Sequence, residues 1–98
     1  MNVVWTQLAE NQVAEAFAYI AAERQSAALK WLERLVDAAG SLCVLPDQGR
    51  KVPEADRESI REVLVEPYRV VYRRDADEVV ILTVQHERRE MDLPAIDA

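Results

Sequence analysis

Residues 60–89 read IREVLVEPYRVVYRRDADEVVILTVQHERR, and this stretch decides the fold. β-Branched and aromatic residues fill three runs, at about Ile60–Glu66, Tyr68–Arg74 and Glu78–Gln85, a composition that suits a pleated, half-buried surface. Glu66-Pro67 separates the first two runs and Asp75-Ala76-Asp77 the last two. Connections that short join antiparallel neighbours, so the stretch predicts a three-stranded meander. Alternation then assigns faces. Tyr68, Val70 and Tyr72 share one side of the middle strand, and Arg69, Val71 and Arg73 the other. In the last strand Val80, Leu82 and Val84 oppose Val79, Ile81 and Thr83, with His86 continuing the first of these sets, either toward the core or as a cap on the strand end.

Upstream of the meander the apolar period changes from two to nearly four. Val3-Val4-Trp5 is a short apolar segment suited to an edge strand, and Thr6 offers a helix N-cap. Val13, Ala16, Phe17 and Ile20 recur at helical spacing, as do Ala28, Trp31, Leu32, Leu35, Val36, Ala39 and Leu42. Neither Gly nor Pro interrupts the two stretches. A continuous helix of about 35 residues would run roughly 52 Å, however, against a radius of gyration near 13 Å expected for a chain of this length. The helix must fold back, and Ala22–Ser26 is the expected bend, with Ser26 capping the second helix. Gly40 weakens the end of that helix and Pro46 closes it. The main loop spans Leu45–Glu54, and the acidic tail Glu90–Ala98 is expected to be short and at least partly mobile. The expectation is one α+β domain over residues 1–98, an N-terminal helical hairpin packed on a small antiparallel sheet. The hairpin covers one face of the sheet and leaves Arg69 and Arg73 on an open one.

Half of the 98 residues are apolar, enough for a folded core, and no apolar run approaches the roughly 20 residues that span a bilayer. The N-terminal segment lacks the basic start and apolar stretch of a signal peptide, and a single cysteine, Cys43, excludes an internal disulfide. These features predict a cytoplasmic protein with no membrane partner. The net charge is −6, and residues 50–74 are its only net cationic segment. That balance disfavours direct DNA binding, which needs a broad basic footprint, but permits a local arginine site for one phosphate or one acidic partner.

The ordered set of these pieces resembles a known family. Ala28 and Trp31 of the hairpin are followed by Leu45-Pro46, Gly49-Arg50 and Pro53-Glu54, then by Ile60-Arg61-Glu62, Tyr68–Arg73 and Ile81–Arg88. In order and spacing, over nearly the whole chain, they are similar to the ParE/RelE superfamily of toxins from type II toxin–antitoxin modules, the plasmid stabilisation proteins. The resemblance implies a toxin that arrests growth, a cognate antitoxin as partner, and no cofactor or metal.

It also implies one of two activities. RelE-like toxins are ribosome-dependent mRNA endoribonucleases. By resemblance Glu54 would be the base, Arg69 the phosphate clamp and His86 the acid, a chemistry suited to a histidine titrating near 6.5. ParE-like toxins inhibit DNA gyrase and do no chemistry. Two departures favour the second branch: Glu87-Arg88-Arg89 follows the histidine where the nucleases carry an aromatic residue, and the basic cluster that grips ribosomal RNA is absent. On that branch Arg61, Arg69, Arg73, His86, Arg88 and Arg89 are the expected antitoxin- and target-binding residues. A third expectation is a degenerate toxin kept only as a binding partner. The antitoxin is expected to pack apolar residues on the helical hairpin and to set carboxylates against the sheet arginines.

Overall fold

The computed structural model describes residues 1–96. In chain order the elements are β1 (Asn2–Trp5), α1 (Gln7–Glu23), α2 (Gln25–Val44), β2 (Arg50–Lys51), β3 (Ile60–Val65), β4 (Tyr68–Arg74), β5 (Glu78–His86) and α3 (Leu93–Ile96). The radius of gyration is 12.8 Å, so the helical stretch does fold back. Thr6 joins β1 to α1. Its hydroxyl accepts from the Ala9 N–H at 3.1 Å, the expected N-cap, and donates to the Leu82 carbonyl at 3.0 Å, which fixes the helix start to the sheet.

The bend falls at a single residue. Arg24, extended at φ −155° and ψ 113°, ends α1 and begins α2 with no side-chain cap. Ser26 therefore lies inside the first turn of α2, and the cap expected of it is not made. Gly40 lies inside α2, which runs on to Val44 and stops just before Pro46, as expected. A Cβ on Gly40 would meet nothing within 4 Å. Gly40→Ala should thus stabilise the fold by about 1 kcal/mol through backbone entropy alone. That is a rise of roughly 4–8 °C in melting temperature, measurable by circular dichroism; an unchanged or lower value would show that α2 is not continuous there.

The sheet has five strands in the order β1-β5-β4-β3-β2. The three central strands pair antiparallel as the meander predicts. The sheet is nonetheless mixed rather than purely antiparallel, because β1 joins parallel to β5, with Asn2 opposite Glu78 and Trp5 opposite Ile81. The two-residue β2, on the other edge, lies within what the sequence presents as loop. Trp31, Leu35, Leu42, Ala9 and Ala16 of the hairpin pack on Val65, Tyr68, Val70, Tyr72, Val79, Ile81 and Val84.

The opposite face is not open. Val52 and Ala55 of the loop before β3, with Met91 and Ile96 of the C-terminal segment, cover Ile60, Val71, Val80 and Leu82. Part of the tail expected to be mobile packs here: Met91, Ala95 and Ile96 are buried, and Asp97 and Ala98 lie outside the described residues. A second correction concerns β5. Val71 pairs with Thr83 but Tyr72 pairs with Ile81, so Leu82 is a bulge residue. Beyond it the alternation shifts by one, and Val84 leaves the side of Val80 and Leu82 for the helix side. His86, two residues further on, goes with it.

Candidate functional site

The residues singled out in the sequence divide between the two faces of the sheet. Under the loop-covered face lies a chain of charges. Arg69 directs Nε to Glu62 and both Nη atoms to Glu54, each of the latter at 2.9 Å, and Glu62 also accepts from Arg50 Nε at 2.6 Å. Glu62 is 2 % exposed and Arg69 7 %. Arg69 therefore does not stand on an open face, as the sequence suggested; its planar guanidinium is saturated by carboxylates of its own chain. Hydrogen bonding from that guanidinium holds the Glu54 carboxyl down at about 2, and Glu54 in turn raises Arg69 further above its ordinary range. A carboxylate held so low is a poor base near neutrality.

The other arginines of the central strands also hold loops. Arg61 donates to the Gly49 carbonyl at 2.9 Å, and both Arg61 and Arg74 face the Asp47 carboxylate, at 3.8 and 3.1 Å. Tyr72 Oη donates to the Pro46 carbonyl at 2.8 Å and accepts from the Gly49 N–H at 3.0 Å. Only glycine fits there: a Cβ on residue 49 would lie 2.6 Å from the Glu62 carbonyl oxygen. Arg73 pairs with Asp75 across the β4–β5 turn, at 2.8 Å. Arg61, Arg69 and Arg73 are thus internal staples, and their shared signal of β-strand arginines does not distinguish staples from a binding array.

His86 occupies the other face. Tyr68 pairs with His86 and Arg69 with Gln85, so neighbouring registers send Arg69 and His86 to opposite sides of the sheet. Glu54 follows Arg69. The Glu54, Arg69 and His86 set that would cut RNA does not converge on one point. The His86 ring instead stands edge-on to Tyr68, with centroids 5.2 Å apart, and its Nδ1 accepts from the Arg88 N–H at 3.1 Å. Burial raises the Tyr68 phenol above its ordinary range.

These two rings floor a cleft of about 640 Å³ between α1 and the turn after β5. Gln12, Glu15 and the exposed Tyr19 form its helical wall, and Arg88, Arg89 and Glu90 its rim. The sequence pointed to His86, Arg88 and Arg89 but not to this wall, which the bulge in β5 and the crossing of α1 bring into place.

A second, apolar groove of about 420 Å³ lies between the helices at the foot of β1, lined by Trp5, Val13, Leu32, Leu35 and Val36, with Glu10 at its edge. Leu29 and Val36, 52 % and 62 % exposed, extend it along α2 at helical spacing. Among the described residues no three His, Cys, Asp or Glu side chains are grouped to hold a metal ion. Among the same residues no helix is long and apolar enough to cross a membrane.

Comparison with known proteins agrees with this architecture. A family model described as the ParE toxin of type II toxin–antitoxin system, parDE, matches residues 3–91. A solved chain titled "Chromosomal ParDE TA system from P. aeruginosa" superposes with a TM-score of 0.72, at 21 % identity, over 88 % of this chain and 95 % of that one. No curated protein sequence matches the chain.

Proposed function

Because the chain belongs to the ParE toxin family of type II toxin–antitoxin systems, we propose that it arrests growth in the cytoplasm by binding DNA gyrase and that a cognate antitoxin neutralises it. The observation that carries this reading is the separation of Arg69 from His86 by the sheet, with Arg69 already saturated by Glu54 and Glu62. RNA cleavage needs a base, a phosphate clamp and an acid around one phosphodiester. Inhibition by binding needs only accessible surface, and two surfaces are available. The His86–Arg89 rim suits contact with a protein target, and the apolar groove between α1 and α2 suits an amphipathic segment of the antitoxin. The antitoxin carboxylates then belong opposite Arg88 and Arg89 rather than opposite the buried Arg69.

Induction without antitoxin tests the reading. The expected result is accumulation of gyrase–DNA cleavage complexes, with loss of supercoiling by purified gyrase and mRNA left intact. Rapid cleavage of mRNA on ribosomes, abolished in His86→Ala, would overturn it in favour of the nuclease.

A further inference from the structure

β5 is longer than the strand beside it. β1 pairs only with Glu78–Ile81, whereas β5 continues to His86. Past Ile81 its outer edge is capped piecemeal. The Thr6 N–H donates to the Ile81 carbonyl at 3.1 Å and the Thr6 hydroxyl to the Leu82 carbonyl at 3.0 Å. Gln12 Oε1 reaches in from α1 to accept from the Val84 N–H at 2.8 Å and from the Thr83 hydroxyl at 2.9 Å. The Val84 N–H therefore points away from β4. Strand alternation turns the backbone groups of His86 the same way, and those of Gln85 and Glu87 toward β4. The bond from the Glu87 N–H to the Pro67 carbonyl, at 2.9 Å, agrees. The His86 carbonyl is used by the Arg89 N–H at 3.0 Å. What remains at the edge is the Val84 carbonyl and the His86 N–H, an acceptor and a donor side by side, facing the cleft of about 640 Å³.

The charges at the end of this edge are equally unmatched. The arginines of β2, β3 and β4 all have acidic partners in their own chain. The Arg88 and Arg89 side chains form no ion pair or hydrogen bond among the described residues. We infer that the β5 edge from Val84 to His86 is a strand-addition site for an extended, acidic segment of the antitoxin. The segment adds one strand in the cleft, exchanging backbone hydrogen bonds with Val84 and His86. Its carboxylates lie at the turn end, against Arg88 and Arg89. Because Glu15 lines the helical wall, and Glu90 and Asp92 also border the cleft, the segment presents neutral side chains to α1.

The inference rests on the antitoxin half of the proposed function, and hydrogen exchange separates the two. The probe is the full-length cognate antitoxin, mixed with the intact protein and followed by amide NMR. In the free protein the His86 amide should exchange faster than those of Gln85 and Glu87, and binding should slow it at least about tenfold. A backbone variant gives a second readout. His86→Pro deletes the outward N–H without touching the β4 ladder, whereas His86→Ala deletes the ring and keeps the N–H. His86→Pro should bind about tenfold more weakly than His86→Ala. If His86→Pro does not fold, the exchange measurement on the wild-type protein decides. Tight binding with an unslowed His86 amide overturns strand addition and leaves the toxin–antitoxin reading standing. An antitoxin that does not bind overturns both.

Discussion

Arg69→Ala should lower the stability of the fold by about 3–5 kcal/mol, the range for removing one partner of a buried ion pair, measured by urea denaturation of the purified protein. The size of the effect comes from what is left behind. Glu62 is buried, with 1 % of its side chain exposed, and would retain only Arg50, whose own side chain is 64 % exposed. Among the described residues no other side chain donates to Glu62, so a carboxylate stays under an apolar layer with half its former compensation. By comparison Lys51–Glu58 lies at the surface, and pairs of that kind stabilise by about 0–1 kcal/mol. A loss below 1 kcal/mol for Arg69→Ala would mean that water reaches Glu62, contrary to its burial. Glu54→Gln should cost less, because Glu54 sits at the mouth of the cluster and the amide oxygen still accepts from Arg69.

The same cluster sets an acid limit whose sign is fixed by Glu54. Its carboxyl titrates near 2 in the folded chain against an ordinary 4.5. Between these values the unfolded chain binds a proton that the folded chain does not, so stability rises with pH there. The contribution is complete above 4.5 and is lost as pH falls through about 2. Glu54→Gln removes that titration and should flatten the acid side of the stability profile over this window.

The residues that made the fold legible are those whose period is local. Val70, Tyr72 and Arg69 alternate without interruption, and β4 lies where the alternation puts it, with its faces as expected. Thr6 caps a helix because a hydroxyl before a periodic run has one common use. What escaped the reading depends on residues far apart in the chain. The bulge at Leu82 leaves no mark in an unbroken apolar run, yet it decides which face His86 occupies. The cover on the second face comes from Val52, Ala55, Met91 and Ile96, too few and too scattered to show a period. The unbroken apolar run Val79–Leu82 was the available signal, since a strand segment with apolar residues at every position is covered on both faces. Glu62 and Arg69 likewise meet only through the register of β3 on β4, which turned an arginine read as a surface cation into a buried one. For the site, Arg88 and Arg89 were legible as charges, but their lack of internal partners became visible only once every other strand arginine had been paired.

Trp31 ties the core to that site, and its removal should have a second large effect. The indole is 2 % exposed, and its Nε1–H donates to the Val65 carbonyl at 3.0 Å, at the end of β3. Its ring packs on Tyr68, with centroids 5.3 Å apart, and Tyr68 in turn carries the His86 ring. Trp31→Ala should cost about 3–5 kcal/mol from lost burial and the cavity left between α2 and the sheet, a large fraction of the roughly 5–15 kcal/mol that stabilises a native domain. Trp31→Phe separates packing from hydrogen bonding. It keeps most of the apolar surface but leaves the Val65 carbonyl buried without its donor, a loss of about 1–3 kcal/mol. That variant should still fold, and it should let Tyr68 settle into the space vacated by the larger ring. The His86 imidazole rests on Tyr68, so its NMR resonances should shift although residue 31 does not touch it. Unchanged His86 resonances in a folded Trp31→Phe protein would mean that the rim is set by the turn at 86–89 alone. Shifted ones would mean that the floor of the cleft is positioned from the hairpin core.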